Sequence, residues 1–427
     1  MGGEKKVIIR RCADYDREII KAIIQEGLEE FGLTSKIRGR VTIKPNVVMA
    51  HRKTAPSAFT RPEFLAGLLS ALVDEKKDKL KITIAEKTGV GIPTSRMFRR
   101  AGYYKLRKKF KIKLLPIEES KKKTVILQKG KIHSKITTAQ EIVDNDFLLY
   151  TPKLKSNVLS QGLSAALKLN IGLLLDKERM WNHNYNLDEK IIDLLEVGFP
   201  DFIATDAIEI SLGGNQMTQH GKHLGMILMA ENPLAHDVVC AHILHLDPHN
   251  IKHLRIAHER GYGPLRLDEI EIVGDISLEE VRQKTEDWDL GLVKVNEVDC
   301  NIKTIIGKPY CTGGCHGVFL DWLYMIKDRK PRLWKNLPSW TTLIGKYEGH
   351  ISAERLMIIG TCSQVEGKIS ARKVRRIKGC PPRHKDFILW FFLRAGILNP
   401  LFRLDLILDS YFFLFISWCR RLAKGRL

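Results

Sequence analysis

Apolar strand-like segments alternate with amphipathic helix-like segments through the first two thirds of the chain, and this alternation constrains the fold most strongly. Residues 6–11 and 40–48 are short apolar runs, whereas residues 17–31 carry apolar side chains at helical spacing. A second helix is expected to begin near Thr60, and a strand is expected over 80–85. Strands that alternate with helices usually run parallel. The pattern therefore predicts an α/β fold with a mostly parallel sheet and flanking helices.

The later segments extend this alternation with less regular spacing. Further strands are predicted over residues 141–150, 202–207, 225–230 and 287–296, and further helices over residues 233–243 and 278–285. Asn232 precedes the helix at 233–243 and is suited to begin it. The α/β domain is thus predicted to extend over residues 1–285.

Charged and polar side chains interrupt the apolar pattern close to several predicted strand ends. In open α/β sheets, ligands bind beyond the carboxyl ends of the strands. A lysine in an apolar stretch must reach solvent, pair with an anion or bind one, so lysines here are predicted to clamp a small anionic substrate. His183, His236 and Asp206 are proposed proton carriers. The candidate catalytic residues are Lys44, Asn46, Lys155, Lys168, His183, Asp206 and Asp237.

Four of the eight cysteines lie within residues 311–382: Cys311, Cys315, Cys362 and Cys380. Glycines beside the last three allow sharp turns whose amides point at a buried anionic group. Pro381 follows the last cysteine, as proline follows the final ligand in bacterial ferredoxin motifs. A [4Fe-4S] cluster takes four thiolates, so these cysteines are predicted to bind one in a small α/β region over residues 286–385.

Two other interpretations of these cysteines stay open. Structural zinc also takes four thiolates, although its sites usually contain a Cys-x-x-Cys pair, which this chain lacks. Four unrelated buried cysteines are the second alternative. The other four cysteines lack a neighbouring glycine or proline and are interpreted as structural or incidental; they are Cys12, Cys240, Cys300 and Cys419.

An ordered set of short motifs resembles the uncharacterised family called domain of unknown function 362, over about residues 5–275. The motifs are Lys44-Pro45-Asn46, Lys153-Leu154-Lys155, residues 166–172, His183, Asp206, residues 232–237, Gly261-Tyr262-Gly263 and residues 270–274. Members are frequently fused or linked to ferredoxin-type cysteines, so the resemblance also implies a [4Fe-4S] cluster. This chain has Ser156-Asn157 where members tend to carry histidine, and Leu169 separates a lysine and an asparagine that are usually adjacent. The family name states no reaction.

The net charge of the chain favours anionic partners. Its 427 residues include 70 Lys and Arg and 49 Asp and Glu, which gives a formal net charge of +21. Nucleic acid is not expected among these partners, because the aromatic-plus-basic pattern of single-strand binders and zinc-finger spacings are both missing from the sequence. The basic run at 368–378 is predicted to dock an acidic electron donor such as a ferredoxin or flavodoxin, with a solvated loop as the alternative. The N-terminal residues show no secretory signal, so a cytoplasmic location is expected.

Residues 386–427 form a compositionally distinct tail, predicted to be an amphipathic helix lying on an anionic membrane surface. Charged residues cut its apolar run well below the ~20 residues of a membrane span. Packing against its own domain or a second subunit is the alternative. The polar side chains fall on one arc of a helical wheel: Arg403, Asp405, Asp409, Ser410, Ser417, Arg420 and Arg421.

These observations predict an iron–sulfur protein that acts as an oxidoreductase or electron carrier on a small anionic substrate at the inner face of the membrane. A non-redox binding protein with a structural zinc, for nucleic acid or an acidic partner, is the first alternative. A metal-independent transferase or racemase that uses the lysine-rich pocket is the second.

Overall fold

A computed structural model of the chain describes residues 4–51, 55–73, 80–214, 220–390, 397, 408, 412–423 and 425. The strands are β1 Lys6–Arg11, β2 Arg40–Pro45, β3 Lys81–Glu86, β4 Lys113–Pro116, β5 Lys122–Ile126, β6 Lys135–Ala139, β7 Phe147–Thr151, β8 Lys153–Asn157, β9 Gly162–Ser164, β10 Phe202–Leu212, β11 His220–Ala230, β12 Glu271–Gly274, β13 Ile302–Ile306, β14 Trp340–Glu348, β15 Ile351–Glu366 and β16 Ile369–Ile377. The helices are α1 Arg17–Glu30, α2 Pro62–Val73, α3 Thr94–Arg100, α4 Tyr103–Phe110, α5 Gln140–Val143, α6 Ala166–Leu169, α7 Asp176–Met180, α8 Leu187–Asp193, α9 Pro233–Ile243, α10 Lys252–Glu259, α11 Leu278–Thr285, α12 Gly317–Arg329, α13 Pro331–Lys335, α14 His384–Leu389 and α15 Phe413–Ala423.

The larger sheet contains ten strands in the order β12-β1-β11-β10-β7-β2-β3-β4, with β8 paired to β10 and β9 paired to β8. Six of its nine strand pairs are parallel, and the three antiparallel pairs involve β11 or β9. Helices flank the sheet. The predicted α/β fold with a mostly parallel sheet is therefore confirmed.

Helix α1 shows why the sequence pattern is a good guide in this part of the chain. The Asp16 side chain accepts hydrogen bonds from the backbone N–H groups of Glu18 and Ile19, which satisfies the helix start. Its buried side chains include Ile20, Ile24 and Leu28, at the spacing of one helix face. This face packs against α2, and the regular apolar spacing made the helix predictable.

The smaller sheet is a coil of parallel strands in the order β13-β14-β15-β16. Ile351 pairs with Ile369 and Arg355 pairs with Lys373, so β15 and β16 match residues eighteen positions apart. The chain thus completes one turn of the coil between a residue of β15 and its partner in β16. It bends at Gly345 and Gly360, whose φ angles of +85° and +97° suit glycine.

Several local predictions were wrong in their boundaries or type. The strand predicted over 225–230 begins at His220, and the strand predicted over 40–48 ends at Pro45. Residues 141–150 begin as α5 and become β7 only after residues 144–146. In this segment the Asp144 and Asp146 carboxylates accept hydrogen bonds from Lys123 Nζ and from the backbone N–H of Arg40. The strand predicted over 202–207 continues to Leu212, because the apolar alternation persists. Residues 287–294 form no strand. Cys362 lies inside β15 and not at the end of a strand, since the chain bends at Gly360 and continues.

One hydrophobic core joins the large sheet to the cysteine-containing region. It contains Val7 of β1, Leu228 of β11 and Val238 of α9 together with Phe319 of α12 and Met357 of β15. The two regions therefore bury apolar surface against each other. The division into domains at 285 and 385 stays a prediction.

The C-terminal helix is present as α15, as the amphipathic helical tail predicted. Arg403, Asp405, Asp409 and Ser410, which were part of the predicted polar arc, lie outside the described residues. The buried Ser417 hydroxyl donates to Glu119 Oε1 at 2.9 Å, so the polar side of α15 contacts the α/β domain. Within the described ranges, no helix is long and apolar enough to cross a membrane.

The bend at Gly345 gives a test of the parallel coil. A Cβ at this position would lie 2.3 Å from the carbonyl oxygen of Gly307 and would require a left-handed backbone. We expect Gly345→Ala to lower the free energy of unfolding by about 2 kcal/mol or more, since the left-handed conformation alone costs about 1–2 kcal/mol. Urea denaturation followed by circular dichroism would measure this change.

Gly32→Ala is the matched control, because Gly32 also has a left-handed φ of +61° but would place its Cβ more than 4 Å from any other side chain or backbone atom. Gly32→Ala therefore measures the free-energy cost of a left-handed alanine without the steric clash that Gly345→Ala adds. Equal destabilisation by the two variants would contradict the close approach of the coil at Gly345.

Candidate functional site

A cavity of about 340 Å³ lies where β2 and β3 end. The loops that follow these strands form one wall, with Asn46 from the first and Lys87 from the second. Helices α6, α7 and α12 contribute the other walls, and Leu414 of α15 also lines it. The position agrees with the rule that open α/β sheets bind ligands beyond strand carboxyl ends.

Glu86 at the end of β3 forms the charged floor of the cavity. Its carboxylate is 2.9 Å from Lys44 Nζ and accepts hydrogen bonds from the backbone N–H groups of Val47 and Lys87. Burial lowers the pKa of Lys44 and raises that of Glu86, while each charge stabilises the charged form of its partner. Lys44 is fully buried and paired, so it acts on the cavity through Glu86.

Two more cations belong to the wall nearest α7. Lys87 forms an ion pair with Asp176, with Nζ 2.8 Å from Oδ1. Arg179 donates from its terminal nitrogens to the carbonyl oxygens of Thr88 and Lys87, at 2.6 and 2.7 Å. Burial lowers the pKa of Arg179, while the carboxylates of Glu86, Asp176 and Glu118 oppose that shift. Its Nε has no hydrogen-bond partner among the described residues.

Lys168 projects from α6 into the cavity. Burial lowers its pKa to about 8, while the carboxylates of Asp321 and Asp188 oppose that shift. The side chain is half-buried and lines the cavity. Its ammonium group makes no hydrogen bond or ion pair to a described residue, so it is available to an anionic ligand.

Asp237 fixes the helix that carries Lys168. Its carboxylate accepts hydrogen bonds from the backbone N–H groups of Ala166 and Leu167, at 2.8 and 2.9 Å, and so caps the start of α6. His236 donates from Nδ1 to Asp237 Oδ1 at 2.7 Å, and its Nε2 contacts the Thr205 hydroxyl at 2.7 Å. Both side chains are fully buried behind α6 and do not line the cavity.

His183 lies between the cavity and the cysteines. Its Nδ1 is 2.6 Å from the carbonyl oxygen of Gly313, and a carbonyl only accepts, so we assign the proton to Nδ1. Burial lowers the pKa of His183 to about 4, so the ring is neutral near pH 7. Nε2 is then an acceptor on the wall of the cavity.

Asp206 and Lys155 lie away from the cavity. Asp206 is 3.1 Å from Lys153 Nζ and accepts hydrogen bonds from the Tyr15 hydroxyl and the backbone N–H of Arg61. Lys155 donates to the carbonyl oxygen of Ala58 at 2.6 Å, and burial lowers its pKa well below the usual value. Of the predicted catalytic residues, the structure brings Asn46, Lys168 and His183 together at the cavity, and it places Lys44, Lys155, Asp206 and Asp237 in supporting positions around it.

The four predicted ligand cysteines lie in one group. Burial raises the pKa of Cys311 to about 11, and the neighbouring Cys362 and Cys380 add to that rise. The pKa of Cys315 is likewise raised by burial and then by the other three cysteines. The charges of these four thiol groups therefore influence one another. Thiols whose pKa is raised in this way lose their protons when a cationic centre compensates the charge of the thiolates.

The parallel coil explains how Cys362 and Cys380 meet. They are eighteen residues apart, the same offset that separates paired positions of β15 and β16. The ladder continues beside them, because Thr361 N donates to Gly379 O at 3.0 Å. The two cysteines therefore occupy equivalent positions in successive turns, about one strand spacing, ~4.8 Å, apart.

Glycines shape the space around the other two sulfurs. A Cβ at Gly314 would lie 2.7 Å from Cys311 Sγ, and one at Gly360 would lie 2.6 Å from Cys315 Sγ. Backbone N–H groups of Gly314 and Cys315 also point at Cys311. Such a glycine cradle with amide donors suits an anionic sulfur-ligated centre.

No group of three or more His, Cys, Asp and Glu side chains in the described part of the chain is arranged to hold a single metal ion. Thiolates around one zinc ion lie about 3.8 Å apart, because each Zn–S bond is ~2.3 Å long. A four-iron cluster holds its four thiolates around a larger centre. The two kinds of centre therefore differ in the sulfur–sulfur separations that they require.

Sequence reasoning missed two contacts with the cysteines and one residue that lines the cavity. Asn184 Nδ2 donates to Cys380 Sγ at 3.2 Å, and the Tyr185 hydroxyl is 4.0 Å from Cys362 Sγ. Asp321 lies on the cavity face of α12 with Val318 and Trp322. The spacing of the α12 residues was visible in the sequence, whereas nothing in the sequence placed residues 184 and 185 beside cysteines almost two hundred positions later.

Residues 41–242 match the family described as "Domain of unknown function (DUF362)", so the resemblance predicted from the sequence is confirmed over that range. Among solved structures, the chain is similar to the lactate racemase apoprotein from Thermoanaerobacterium thermosaccharolyticum. The identity is 13%, the TM-score is 0.37, and the match covers 80% of this chain and 69% of that chain. No curated protein matches the chain.

The buried pair under the cavity gives a test of how the floor is held. Lys44→Met would leave the Glu86 carboxylate without its cation at a site that is 2% exposed. We expect the free energy of unfolding to fall by about 3–5 kcal/mol, the usual effect of removing one partner of a buried pair. Urea denaturation would measure it, and Lys44→Met combined with Glu86→Gln should recover part of the loss.

The control is the exposed pair at the other end of the same strand, Arg40 with Asp146. Arg40→Met should cost no more than about 1 kcal/mol, because solvent screens an exposed pair. Similar effects of Arg40→Met and Lys44→Met would show that Lys44 does not hold the cavity floor.

Proposed function

We propose that this chain is an iron–sulfur protein that transfers electrons between a [4Fe-4S] cluster and a small anionic substrate in the adjoining cavity. One observation carries the proposal: His183 lines the cavity and is hydrogen-bonded to Gly313, which lies between Cys311 and Cys315. A substrate in the cavity would therefore be within one side chain of the cysteine group. This arrangement suits an oxidoreductase better than a purely structural metal site.

Cys311, Cys315, Cys362 and Cys380 would hold the cluster, which supplies single-electron chemistry when bound. Asn184 would donate a hydrogen bond to the Cys380 thiolate, and the Gly314 and Cys315 amides would donate to Cys311. Donors of this kind stabilise the added negative charge of a reduced centre. The chain thus provides both the ligands and the N–H groups that such a centre needs.

Lys168 and Arg179 would hold the substrate anion, since both line the cavity and neither forms an ion pair with a described carboxylate. His183 Nε2 would accept a hydrogen bond or a proton from the substrate. Asn46 Oδ1 has no hydrogen-bond partner among the described residues and would accept a second one. These residues bind and orient the substrate beside the cysteines.

The electron donor is proposed to be an acidic protein such as a ferredoxin or flavodoxin. Strand β16 is at the edge of the coil and leads directly to Cys380. Arg372, Lys373, Arg375 and Arg376 are all exposed on it. A cationic edge beside the most exposed cysteine offers complementary charge to an acidic partner and a short path to the cluster.

The protein is further proposed to act at the cytoplasmic membrane surface through α15. Phe415 and Trp418 are 60% and 42% exposed, and their rings stack with centroids 6.0 Å apart. Arg420 and Arg421 follow on the same helix, and Arg96 of basic helix α3 lies over Phe413. An exposed aromatic face next to cations suits an anionic lipid surface.

Metal and sulfide analysis of anaerobically purified protein tests the cluster. We expect four iron and four sulfide per chain with broad visible absorption, because four thiolates converge. Cys380→Ser should lower the iron and sulfide content and weaken the absorption, and Cys380 is exposed, so the fold should survive the change.

Cys300→Ser serves as the control, since Cys300 lies outside the group and its thiol donates to the carbonyl oxygen of Ile302. It should retain full iron and sulfide. Colourless protein with one zinc per chain would overturn the redox proposal in favour of a structural zinc, and turnover that survives Cys380→Ser would indicate a metal-independent reaction.

Vesicle sedimentation tests the membrane proposal. We expect the protein to pellet with vesicles that contain phosphatidylserine and to stay in solution with phosphatidylcholine alone, because the cations beside α15 attract anionic headgroups. Replacing Phe415 and Trp418 together with serine should reduce binding more than tenfold, since each large side chain contributes about 1.5–3 kcal/mol when buried. Ile19→Ser removes an equally exposed apolar side chain from α1 and should leave binding unchanged.

A further inference from the structure

We propose that the cavity binds an amphiphilic anion, a molecule with one anionic head group and an apolar chain, that enters beneath α15. The inference rests on the proposed function and names the class of substrate for the same cavity. It depends on three features of the structure: the apolar wall, the position of the cations and the orientation of α15.

The wall formed by α12 is apolar apart from Asp321. Val318, Trp322 and Met325 recur at helical spacing on this helix and line the cavity. Leu159, Ile171 and Met180 add apolar surface from other elements. A short polar substrate would leave this surface in contact with water, whereas an alkyl chain would cover it. The volume of about 340 Å³ is at the small end of ligand sites, so the chain is short.

The cations of the cavity favour an anionic head group. Glu86 is paired with Lys44, and Lys87 is paired with Asp176. Lys168 and Arg179 remain as cations, and the Asp321 carboxylate acts on Lys168. Two cations beside an apolar wall suit a ligand with an anionic head group such as a carboxylate.

Helix α15 connects the cavity to the exterior surface. Leu414 lines the cavity, while Phe415 and Trp418 on the same helix face solvent. Ser417 anchors the helix to the domain through a single hydrogen bond to Glu119. A helix with one side chain inside the cavity and an apolar outer face provides a route for an apolar chain from a lipid surface.

Isothermal titration of butanoate, hexanoate, octanoate and decanoate against the full chain tests this class. Affinity should rise roughly fourfold per added methylene until the cavity is full, since each buried methylene contributes about 0.8 kcal/mol. Binding should be one to one. Lys168→Met should weaken octanoate binding about tenfold or more, because a charge-assisted contact is lost.

A variant with serine at positions 415 and 418 is the control for adsorption to the outer face of α15. It should bind octanoate as the unchanged chain does, since neither Phe415 nor Trp418 lines the cavity. Equal affinity for all four acids, or loss of binding in this variant, would overturn the proposal. So would a Lys168→Met protein with unchanged affinity.

The pH dependence gives an independent readout. Lys168 has a pKa of about 8, so its ammonium charge is present at lower pH and is lost as the pH rises through that value. Octanoate affinity should fall above pH ~8, or somewhat higher because the bound anion stabilises the charge, and this fall should be missing in Lys168→Met. Asp321 and Asp188 face Lys168 as carboxylates, and the Lys168 charge also acts on Lys155 and His183. Lys190, with a pKa of about 7, is fully buried near His183 outside the cavity and donates to three backbone carbonyl oxygens. The Lys168→Met profile separates the Lys190 contribution from that of Lys168.

The outcomes distinguish this inference from the proposed redox function. Colourless protein whose affinity for the acids rises with chain length would support the amphiphile site and overturn the cluster proposal. Coloured protein that binds butanoate and decanoate with equal affinity would support the cluster and overturn the proposal of an amphiphile site.

Discussion

The close contact between the cysteine loop and the segment before α8 is the constraint on which the site depends. A Cβ at Gly313 would lie 2.7 Å from Leu187 Cδ2 and 3.2 Å from Asn184 O, and a Cβ at Gly317 would lie 1.7 Å from Leu159 Cδ2. Only glycine permits the loop to approach the α/β domain this closely. The approach brings His183 to Gly313 and Asn184 to Cys380, so the cavity and the cysteines become neighbours. The three glycines in the sequence around Cys315 thus position two regions as well as shaping a turn.

Most of the charged residues that mark the family resemblance form the scaffold of the cavity. Asp206 and Lys153 are an ion pair that also holds Tyr15 and the backbone of Arg61, and Asp237 caps α6. Buried charges of this kind are tolerated only where each has a partner, and partnered charges fix geometry. The lysines that interrupt the apolar pattern were therefore good markers of the region, although only Lys168 reaches the cavity without a partner.

The fold was predictable where local patterns decide the structure. Strand β1, helix α1 and helix α11 follow from apolar spacing and from caps such as Asp16 and Ser277, whose signals lie within a few residues. The parallel coil was not predicted, because its evidence is an offset of eighteen residues between strands with different sequences. Cys362 and Cys380 share that offset, so the spacing of the two cysteines was the available signal. The contacts of Asn184 and Tyr185 with the cysteines depend on tertiary packing, for which a single sequence carries no pattern.

The cations of β16 combine two physical roles. An edge strand presents unpaired N–H and C=O groups that can pair with another chain, and charged side chains along it oppose such pairing. Edge protection alone requires charge of either sign, yet every charged residue of β16 is basic. The same sign is found on α3, α4 and the end of α15. Cationic surface therefore lies both beside Cys380 and beside the helix that borders the cavity. An acidic protein at the first surface and an anionic lipid layer at the second would bind at separate places on the molecule, with the cysteines and the cavity between them.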